Sequence, residues 1–304
     1  MPIEFAFSTV ACPDWTIDQV AEKAKAFGYD VVELRTLGEG STKLASDPAL
    51  SDPSKIRDVM AAAGVKVACL STSLAFHDKQ TGADKAAYFQ AVKLLEMAAE
   101  LGAPAVRFFG LKVMPGENRN SVLRRIGHRV PPIAEKATEL GIEVLFENAG
   151  SFCIAKEWWW LLNLVNHPMV GMFWNIANAA VADRGKAGGG MAVTMLNSRI
   201  RMVKVKDTKF GEGTGFVPLG EGDCDVYRLL KKLRGIGFGG WISVEWDRAW
   251  LPGLAPADEY LPDALERLKK WMGEIDELMA GGRKSAEKNA GKRAPKSMAE
   301  AKAG

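Results

Sequence analysis

Hydrophobic residues along the chain fall into two alternating patterns. Short apolar runs rich in Val, Ile and Phe predict β-strands, and each is followed by a longer segment with apolar residues at helical spacing. The predicted strands span residues 3–9, 30–35, 65–71, 104–109, 142–147, 170–175, 200–206 and 240–246. The predicted helices span 16–27, 52–63, 84–101, 119–140, 155–165, 223–236 and 259–278, with a weaker helical pattern near 191–197. The pattern predicts eight strand–helix units of α/β type.

Glycines mark several of the predicted joints between a helix and the next strand, as in AKAFGYDVVEL and ATELGIEVLFE. Glycine accepts the left-handed conformation that ends many helices. Repeated units of this kind favour a parallel sheet, and eight of them predict a closed (β/α)8 barrel over residues 1–280. A doubly wound open sheet is the structural alternative. In the barrel, functional groups lie at the C-terminal ends of the strands.

Polar residues stand at the ends of most predicted strands. They are Glu33, Arg35, Arg107, Glu147, Asn148, Asn175, Asn178, Lys204, Lys206, Asp207, Glu245 and Asp247. The seventh strand, in RMVKVKDTK, is unusual because strand alternation places Met202, Lys204 and Lys206 on one face and Val203 and Val205 on the other. If the valines pack against helices, two lysines point into the barrel and need a negative partner.

Glu147 and Glu245 are candidates for that partner, since they close the apolar strands VLFE and ISVE. Two carboxylates facing each other across a barrel mouth have three interpretations. They bind a divalent cation, they form an acid/base pair acting on a substrate carbon, or lysine neutralises them in a structural ion pair. Residue types alone favour the third interpretation, because charge pairs are commoner than active sites.

Composition restricts the class of protein. The 304 residues are 47% hydrophobic and 25% charged, which is typical of a globular protein. No apolar run is long enough to cross a bilayer, and the N-terminal residues do not resemble a signal peptide. The four cysteines are far apart and form no CxxC pair, which favours reduced thiols and a cytoplasmic location.

The net charge of +3 is unevenly distributed. Residues 281–304 hold seven Lys or Arg against two Glu, so the rest of the chain is mildly acidic. This Ala-, Gly- and Lys-rich segment has too few apolar side chains to fold alone, and we expect a disordered basic tail. Because residues 1–280 carry no basic stripe, nucleic-acid binding is not expected.

Several motifs together resemble the sugar phosphate isomerase/epimerase family, the xylose-isomerase-like TIM barrels. They are GIEVLFENAG, VKVKD and FVPLGEGDCDVYRLLKKLRGIGFGGWISVEWD, with FSTVACPDWTIDQVAEKAKAFGYDVVELR near the N-terminus. The resemblance covers roughly residues 3–278. It implies a divalent metal, often manganese, magnesium, zinc or cobalt, that holds the oxygens of a sugar. Two glutamates then act as metal ligands and as acid/base groups beside the carbonyl.

The family's metal ligands transfer only in part to this chain. Glu147 and Glu245 match the two glutamates of the family. Asn175 stands where the resemblance implies an aspartate, and Asn178 where a substrate-contacting histidine is common. Lys204 stands where the metal-binding histidine of an HxKD motif is expected, although Lys206 and Asp207 fit the rest of that motif. The implied metal site is therefore Glu147, Asn175 and Glu245, which is an incomplete set.

Lys204 suggests an electrostatic replacement for the metal. A protonated lysine has no lone pair for a metal, and neighbouring carboxylates favour its charged form. We hypothesise that the Lys204 ammonium lies between Glu147 and Glu245 and supplies the missing positive charge. Asn175 agrees with this, since a neutral residue in place of an aspartate removes one negative charge. No cofactor is then required.

Further candidates lie in the predicted loops. We predict that His77, Glu221, Asn178 and Lys206 contact substrate, and also Arg107 at the end of the fourth predicted strand. The chain also carries EWWWLL at 157–162, which predicts deep packing or an aromatic subunit contact, and GKAGGG at 185–190, which predicts a flexible loop or a lid. A possible homo-oligomer follows from the first of these motifs. Asp223, which follows the GEG tripeptide, is a candidate cap of the next helix.

The sequence predicts a sugar or polyol isomerase/epimerase, or a related lyase, acting on a small sugar-like substrate. Glu147 and Glu245 would transfer protons, and Lys204 would stabilise an enediolate-like intermediate. The first alternative is a catalytically silent barrel that binds a sugar or a protein partner. A remoter alternative is a barrel-type DNA-repair nuclease, which would need a histidine–carboxylate cluster and a basic face.

Overall fold

Eight parallel strands form a closed barrel in the computed structural model. The structure describes residues 2–36, 52–110, 112–186, 190–211 and 215–293, and for 282–293 the backbone alone. The barrel strands are β1 (Glu4–Ser8), β2 (Val31–Arg35), β3 (Lys66–Ala75), β4 (Ala105–Phe109), β5 (Glu143–Glu147), β6 (Val170–Asn175), β7 (Ile200–Val205) and β10 (Trp241–Val244). Strand β1 pairs with β10 as well as β2, which confirms the predicted closed barrel over the open sheet.

Helices connect the barrel strands. They are α1 (Ile17–Phe27), α2 (Pro53–Ala62), α3 (Ala83–Leu101), α4 (Arg119–Leu140), α5 (Ala155–Val165), α6 (Ile176–Asp183), α7 (Gly190–Leu196), α8 (Val226–Gly235) and α9 (Ala257–Arg293). Two short strands, β8 (Asp207–Thr208) and β9 (Phe216–Val217), pair antiparallel after β7. No helix in the described part of the chain is both long and apolar enough to cross a membrane.

Local sequence signals explain the helix ends. Thr16 and Gln19 form a capping box at the start of α1, in which each side chain accepts from the backbone of the other. Gly28, Gly102 and Gly141 end α1, α3 and α4 in the left-handed conformation, as their positions in the sequence predict. These sharp ends return the chain to the bottom of the barrel for the next strand.

Three elements differ from the sequence prediction. Helix α6 was not predicted, because it follows β6 without a loop and Asn175 ends the strand and caps the helix at once. Strand β3 continues to Ala75, past the predicted end at residue 71. Helix α9 runs from Ala257 to Arg293, past the predicted helix end at residue 278, and the disordered tail over 281–304 stays a prediction. The residues after 281 include good helix formers that extend a helix already started, and residues 294–304 lie outside the described residues.

Two apolar layers surround the sheet faces. The outer layer packs helices against outward strand residues such as Val203 and Val205. The inner layer fills the lower, N-terminal end of the barrel. Its members are Ala6, Val31, Ala68, Cys69, Ala105, Leu145, Phe173 and Met202. Strand β7 therefore alternates as predicted, with Met202 and Lys204 inside and the valines outside.

Candidate functional site

Eight charged side chains fill the upper, C-terminal end of the barrel above the inner apolar layer. We call them the charged cluster: the carboxylates of Glu33, Glu147, Glu245 and Asp247 and the cations Arg35, Arg107, Lys204 and Lys206. Each residue is at most 7% exposed. Since four negative charges meet four positive ones, the cluster has no formal net charge.

Lys204 lies at the centre of the cluster and is completely buried. Its Nζ lies 2.7 Å from Glu245 Oε2, 2.9 Å from Glu33 Oε1 and 3.2 Å from Glu147 Oε2. The ammonium thus contacts both carboxylates named by the sequence hypothesis and also a third one. An ammonium has three N–H donors, and three carboxylate oxygens lie within ion-pair distance of this one.

The other oxygen of each carboxylate is also held. Glu33 Oε2 accepts from Ser243 Oγ at 2.6 Å, and Glu147 Oε1 accepts from Asn175 Nδ2 at 2.9 Å. Glu245 Oε1 lies 2.7 Å from the Nζ of Lys206. These outer contacts fix the orientation of the three carboxylates towards a common centre.

Lys206 and Asp247 form the outer part of the charged cluster. Lys206 Nζ lies 2.7 Å from Asp247 Oδ2 as well as 2.7 Å from Glu245. Two of its three donors are therefore engaged, and its ammonium also lies 4.6 Å from the centre of the Phe216 ring. Burial and the neighbouring Glu245 raise the pKa of Asp247 above its ordinary value, although Lys206 opposes this.

Arg107 and Arg35 flank the cluster on the β2–β4 side. Arg107 Nε lies 3.0 Å from Glu147 Oε2, and its Nη1 donates to the backbone carbonyl of Thr72. Arg35 Nη2 donates to Ser73 Oγ at 2.9 Å. Burial lowers the pKa of Arg35 to about 10, with the charge of Arg107 adding to the effect. The Arg35 guanidinium therefore remains charged at neutral pH.

Opposing effects set the charge states around Lys204. Burial alone would raise the pKa of Glu147, but the charges of Lys204 and Arg107 outweigh it and lower that pKa. Glu245 behaves in the same way, with both lysines holding its pKa far below the usual range against burial. Burial alone would lower the pKa of Lys204, but the three carboxylates raise it well above its ordinary value. Glu147, Glu245 and Lys204 are therefore charged at neutral pH.

Asn175 is the other departure from the family's metal ligands. Its Oδ1 accepts from the backbone N–H of Asn178 and caps α6, so its amide group faces Glu147 and, at 3.5 Å, Glu245. Turning the amide over would place its NH2 group against the N–H of Asn178. The Asn178 side chain itself donates to the carbonyl of Asn148 at 2.9 Å.

The residues present do not fit a divalent metal at this position. The place is taken by an ammonium with no lone pair, and Asn175 presents N–H groups instead of oxygen. Within the described part of the chain, no group of three or more His, Cys, Asp or Glu is arranged to hold a metal ion. The ammonium between the three carboxylates gives the physical reason.

Asp207, which follows Lys206 in the VKVKD motif, holds a loop in place. Its carboxylate accepts from the backbone N–H of Gly220, Gly222, Cys224 and Thr208 at 2.8–3.1 Å. A Cβ on Gly222 would lie 2.2 Å from Asp207 Oδ1, so only glycine fits there. The GEGDC motif is therefore the loop that wraps this carboxylate.

The predicted helix-cap role of Asp223 is wrong. Its Oδ2 accepts from the backbone N–H of Phe210 at 2.7 Å and ties the loop together. The cap of α8 is Asp225, whose side chain accepts from the N–H of Arg228 at 3.1 Å. Asp225 stands three residues before that N–H, which is the spacing a cap requires, so the signal was present in the sequence.

Two predicted substrate contacts lie at the edge of the mouth. Glu221 is exposed and lines a cavity of about 410 Å³ between the loops after β7 and β10, together with Phe216 and Trp246. The Phe216 ring joins this cavity to Lys206 of the charged cluster. His77 is half-buried after β3, and its carbonyl accepts from Arg125.

The tryptophans of the EWWWLL motif differ in their exposure to solvent. Trp158 is buried, stacks on Phe146 at 5.6 Å and donates to the carbonyl of Phe152. Trp159 is 45% exposed on the outside of the same helix. Packing against the barrel therefore accounts for Trp158 and, in part, for Trp160. Of the GKAGGG segment, residues 187–189 lie outside the described residues.

Glu33 is the central residue that sequence reasoning did not assign to the site. It stands at a predicted strand end, but the resemblance implies no role for it. Strand β2 lies far from β7 in the order of the barrel, yet the Lys204 side chain spans the interior to reach it. The signal was the alternation of β2, which places Glu33 inside above Val31.

A scan of family models identifies the family. The model of the xylose isomerase-like TIM barrel matches residues 21–271, so the chain belongs to that family. A search of curated proteins found no match.

Solved structures share the fold at low sequence identity. A D-allulose 3-epimerase from Methylomonas sp. is 18% identical with a TM-score of 0.71, covering 89% of this chain and 98% of its own. An L-ribulose 3-epimerase is 17% identical with a TM-score of 0.72, covering 97% and 100%. A probable 3-DHS dehydratase from Bacillus anthracis is 15% identical with a TM-score of 0.70, covering 88% and 98%.

Proposed function

We propose that this protein is a sugar or polyol isomerase/epimerase that transfers a proton at the carbon beside a carbonyl group. The carrying observation is that Glu147 and Glu245 meet at the C-terminal mouth of a xylose isomerase-like barrel, where both contact one ammonium. The names of the neighbouring 3-epimerases support a small sugar as substrate.

The chemistry needs a base that removes the proton, an acid that returns it and a positive charge near the developing oxyanion. Glu147 ends β5 and Glu245 follows β10, so the two carboxylates belong to different sides of the barrel. Lys204 acts through them, because it is completely buried among three carboxylates. Lys206 keeps one donor and is the cation that we assign to the substrate oxyanion.

The remaining predicted residues have smaller parts in this proposal. Arg107 is 1% exposed and positions Glu147 from behind, so we do not assign it a substrate contact. Asn178, His77 and Glu221 contact the hydroxyl groups of the substrate from the rim. We further propose that the enzyme works without a resident divalent metal, is cytoplasmic and forms a homo-oligomer through exposed α5 residues such as Trp159.

A catalytically silent barrel that binds a sugar or a protein is the second candidate. The observation that favours it is the balance of the charged cluster: four carboxylates and four cations satisfy one another, and Glu147 is only 4% exposed. Such a cluster would keep its geometry without any substrate.

Isotope exchange separates the two candidates. The full chain is incubated with D-allulose, D-fructose, D-tagatose or L-ribulose in D2O, and NMR follows deuterium uptake and the formation of the epimer. An isomerase/epimerase exchanges the proton with at least one ketose, and Glu147→Gln or Glu245→Gln lowers the rate by about 10²–10⁴-fold. The control is Glu143→Gln, at the half-exposed start of β5.

The control variant should keep the wild-type exchange rate. Absence of exchange with all four ketoses, with and without manganese, would count against the proposed activity on these sugars. A wild-type rate in both glutamine variants would remove Glu147 and Glu245 from the mechanism.

A further inference from the structure

We propose that Lys204 blocks a three-carboxylate cation site made by Glu33, Glu147 and Glu245, and that shortening this lysine converts the site into one that binds a divalent metal. We call this three-carboxylate site the cage. The inference goes beyond the proposed function, because it concerns what the cage can bind. It is valid whether or not the protein is catalytic. Glu33 distinguishes the cage from the ligand set that the family resemblance implies.

The first argument is convergence. The three carboxylate oxygens lie 2.7–3.2 Å from a single point, the Lys204 Nζ, and they come from β2, β5 and the end of β10. Divalent cations such as Mn²⁺, Mg²⁺ and Ca²⁺ prefer oxygen ligands at slightly shorter distances, about 2.0–2.6 Å. An inward shift of roughly 0.5–1 Å would bring the same oxygens to metal distances.

The second argument is preorganisation. Each carboxylate is held through its other oxygen, by Ser243, Asn175 or Lys206 respectively. These contacts do not involve the Lys204 ammonium. When the ammonium is removed, they remain and keep the near oxygens directed at the centre, as outer partners do for metal ligands generally.

The third argument is charge. With Lys204 in place, the charged cluster is balanced and the centre is filled, so a divalent ion has neither room nor attraction. Without it, the cluster has one excess negative charge in a buried position, which is unfavourable unless a cation enters. Alanine at position 204 would also leave space for the ion and for water as additional ligands.

The test compares the metal content of wild-type protein and Lys204→Ala. Both full-length proteins are incubated with MnCl2, freed of unbound ion by gel filtration, and measured by elemental mass spectrometry. We expect almost no manganese in the wild type and about one ion per chain in the variant. The melting temperature of the variant, but not of the wild type, should rise with manganese concentration.

Two matched variants make the test specific. Lys66→Ala removes an exposed lysine that pairs with Glu4, and it should bind no manganese. Adding Glu33→Gln to Lys204→Ala should weaken manganese binding roughly tenfold or more, since one ligand of the cage is lost. If Lys204→Ala does not fold, Lys204→Leu replaces it, because its shorter apolar side chain fills part of the space and supplies neither a charge nor a metal ligand.

Two results would overturn the proposal. About one manganese ion per wild-type chain would mean that the ammonium does not block the site. A folded Lys204→Ala or Lys204→Leu variant that binds no manganese would mean that the three carboxylates do not form a metal site.

Discussion

The lower and upper ends of the barrel interior are built on the same strands but hold opposite chemistry. At the lower end Val31, Leu145 and Met202 pack without a polar atom. One inward step further along the same strands, Glu33, Glu147 and Lys204 form buried ion pairs. Strand alternation makes both sets face inward, so only the residue type changes.

The difference separates what holds the barrel together from what the barrel presents at its mouth. Apolar burial stabilises the lower end by roughly 25 cal/mol for each Å² removed from water. Buried ions lose hydration, and well-packed apolar residues of similar size are often as stable or more stable. A charged cluster of this size is therefore poorly explained by stability alone, which agrees with a working site at the upper end.

The largest loss of stability should come from removing the central ammonium of the charged cluster at the upper end. Lys204→Met removes the ammonium and leaves three buried carboxylates facing one another, so the free energy of unfolding should fall by about 3–5 kcal/mol. Urea denaturation measures this loss. The control Lys66→Met removes an exposed ion pair and should cost less than about 1 kcal/mol. Equal small losses in both variants would contradict the central position of Lys204.

The lower end should respond as an ordinary apolar core. Leu145→Ala opens a cavity among buried side chains, and we expect a loss of about 3 kcal/mol in the same urea experiment. Isotope exchange by the folded fraction should stay near the wild-type rate, because the carboxylates above are unchanged. A loss of exchange without a loss of stability would contradict the division between the two ends.

The loop around Asp207 tests a polar residue outside the charged cluster. Asp207→Asn replaces a carboxylate that accepts from four backbone N–H groups, and it should cost about 1–3 kcal/mol. The matched change Asp223→Asn affects one such contact and should cost less. If the two variants have the same stability, Asp207 does not organise the loop.

The smallest loss in the free energy of unfolding should come from removing one positive and one negative charge from the charged cluster. The double variant Glu33→Gln, Lys204→Met keeps the cluster balanced, with Arg107 on Glu147 and Lys206 on Glu245. We expect a loss of roughly 1 kcal/mol, so that adding Glu33→Gln recovers most of the loss caused by Lys204→Met. A double variant less stable than Lys204→Met alone would show that the two residues do not form the expected pair.

Local sequence signals were sufficient for most of the fold. The alternation of apolar strands and amphipathic helices, with glycines at the helix ends, predicted a closed barrel, and the structure confirms it. Helix α6 was missed because no loop separates it from β6.

The site was predictable to the extent that it depends on strand ends. Alternation placed Lys204 inside the barrel, and two apolar strands ended in Glu147 and Glu245. Glu33 was not assigned because its contact with Lys204 crosses the barrel interior, and no local pattern gives the length or direction of a side chain. The orientation of Asn175 was also hidden, since it follows from the capping of an unpredicted helix.

The most direct test of the account is the effect of a chelator on isotope exchange by the wild-type protein. The full chain is treated with EDTA, and deuterium uptake into the four ketoses is compared with and without added manganese. The account predicts the same exchange in both conditions, because the Lys204 ammonium occupies the metal position and Lys206 supplies the positive charge near the substrate. Exchange that EDTA abolishes and manganese restores would contradict the metal-free site, and no exchange in either condition would contradict the proposed activity.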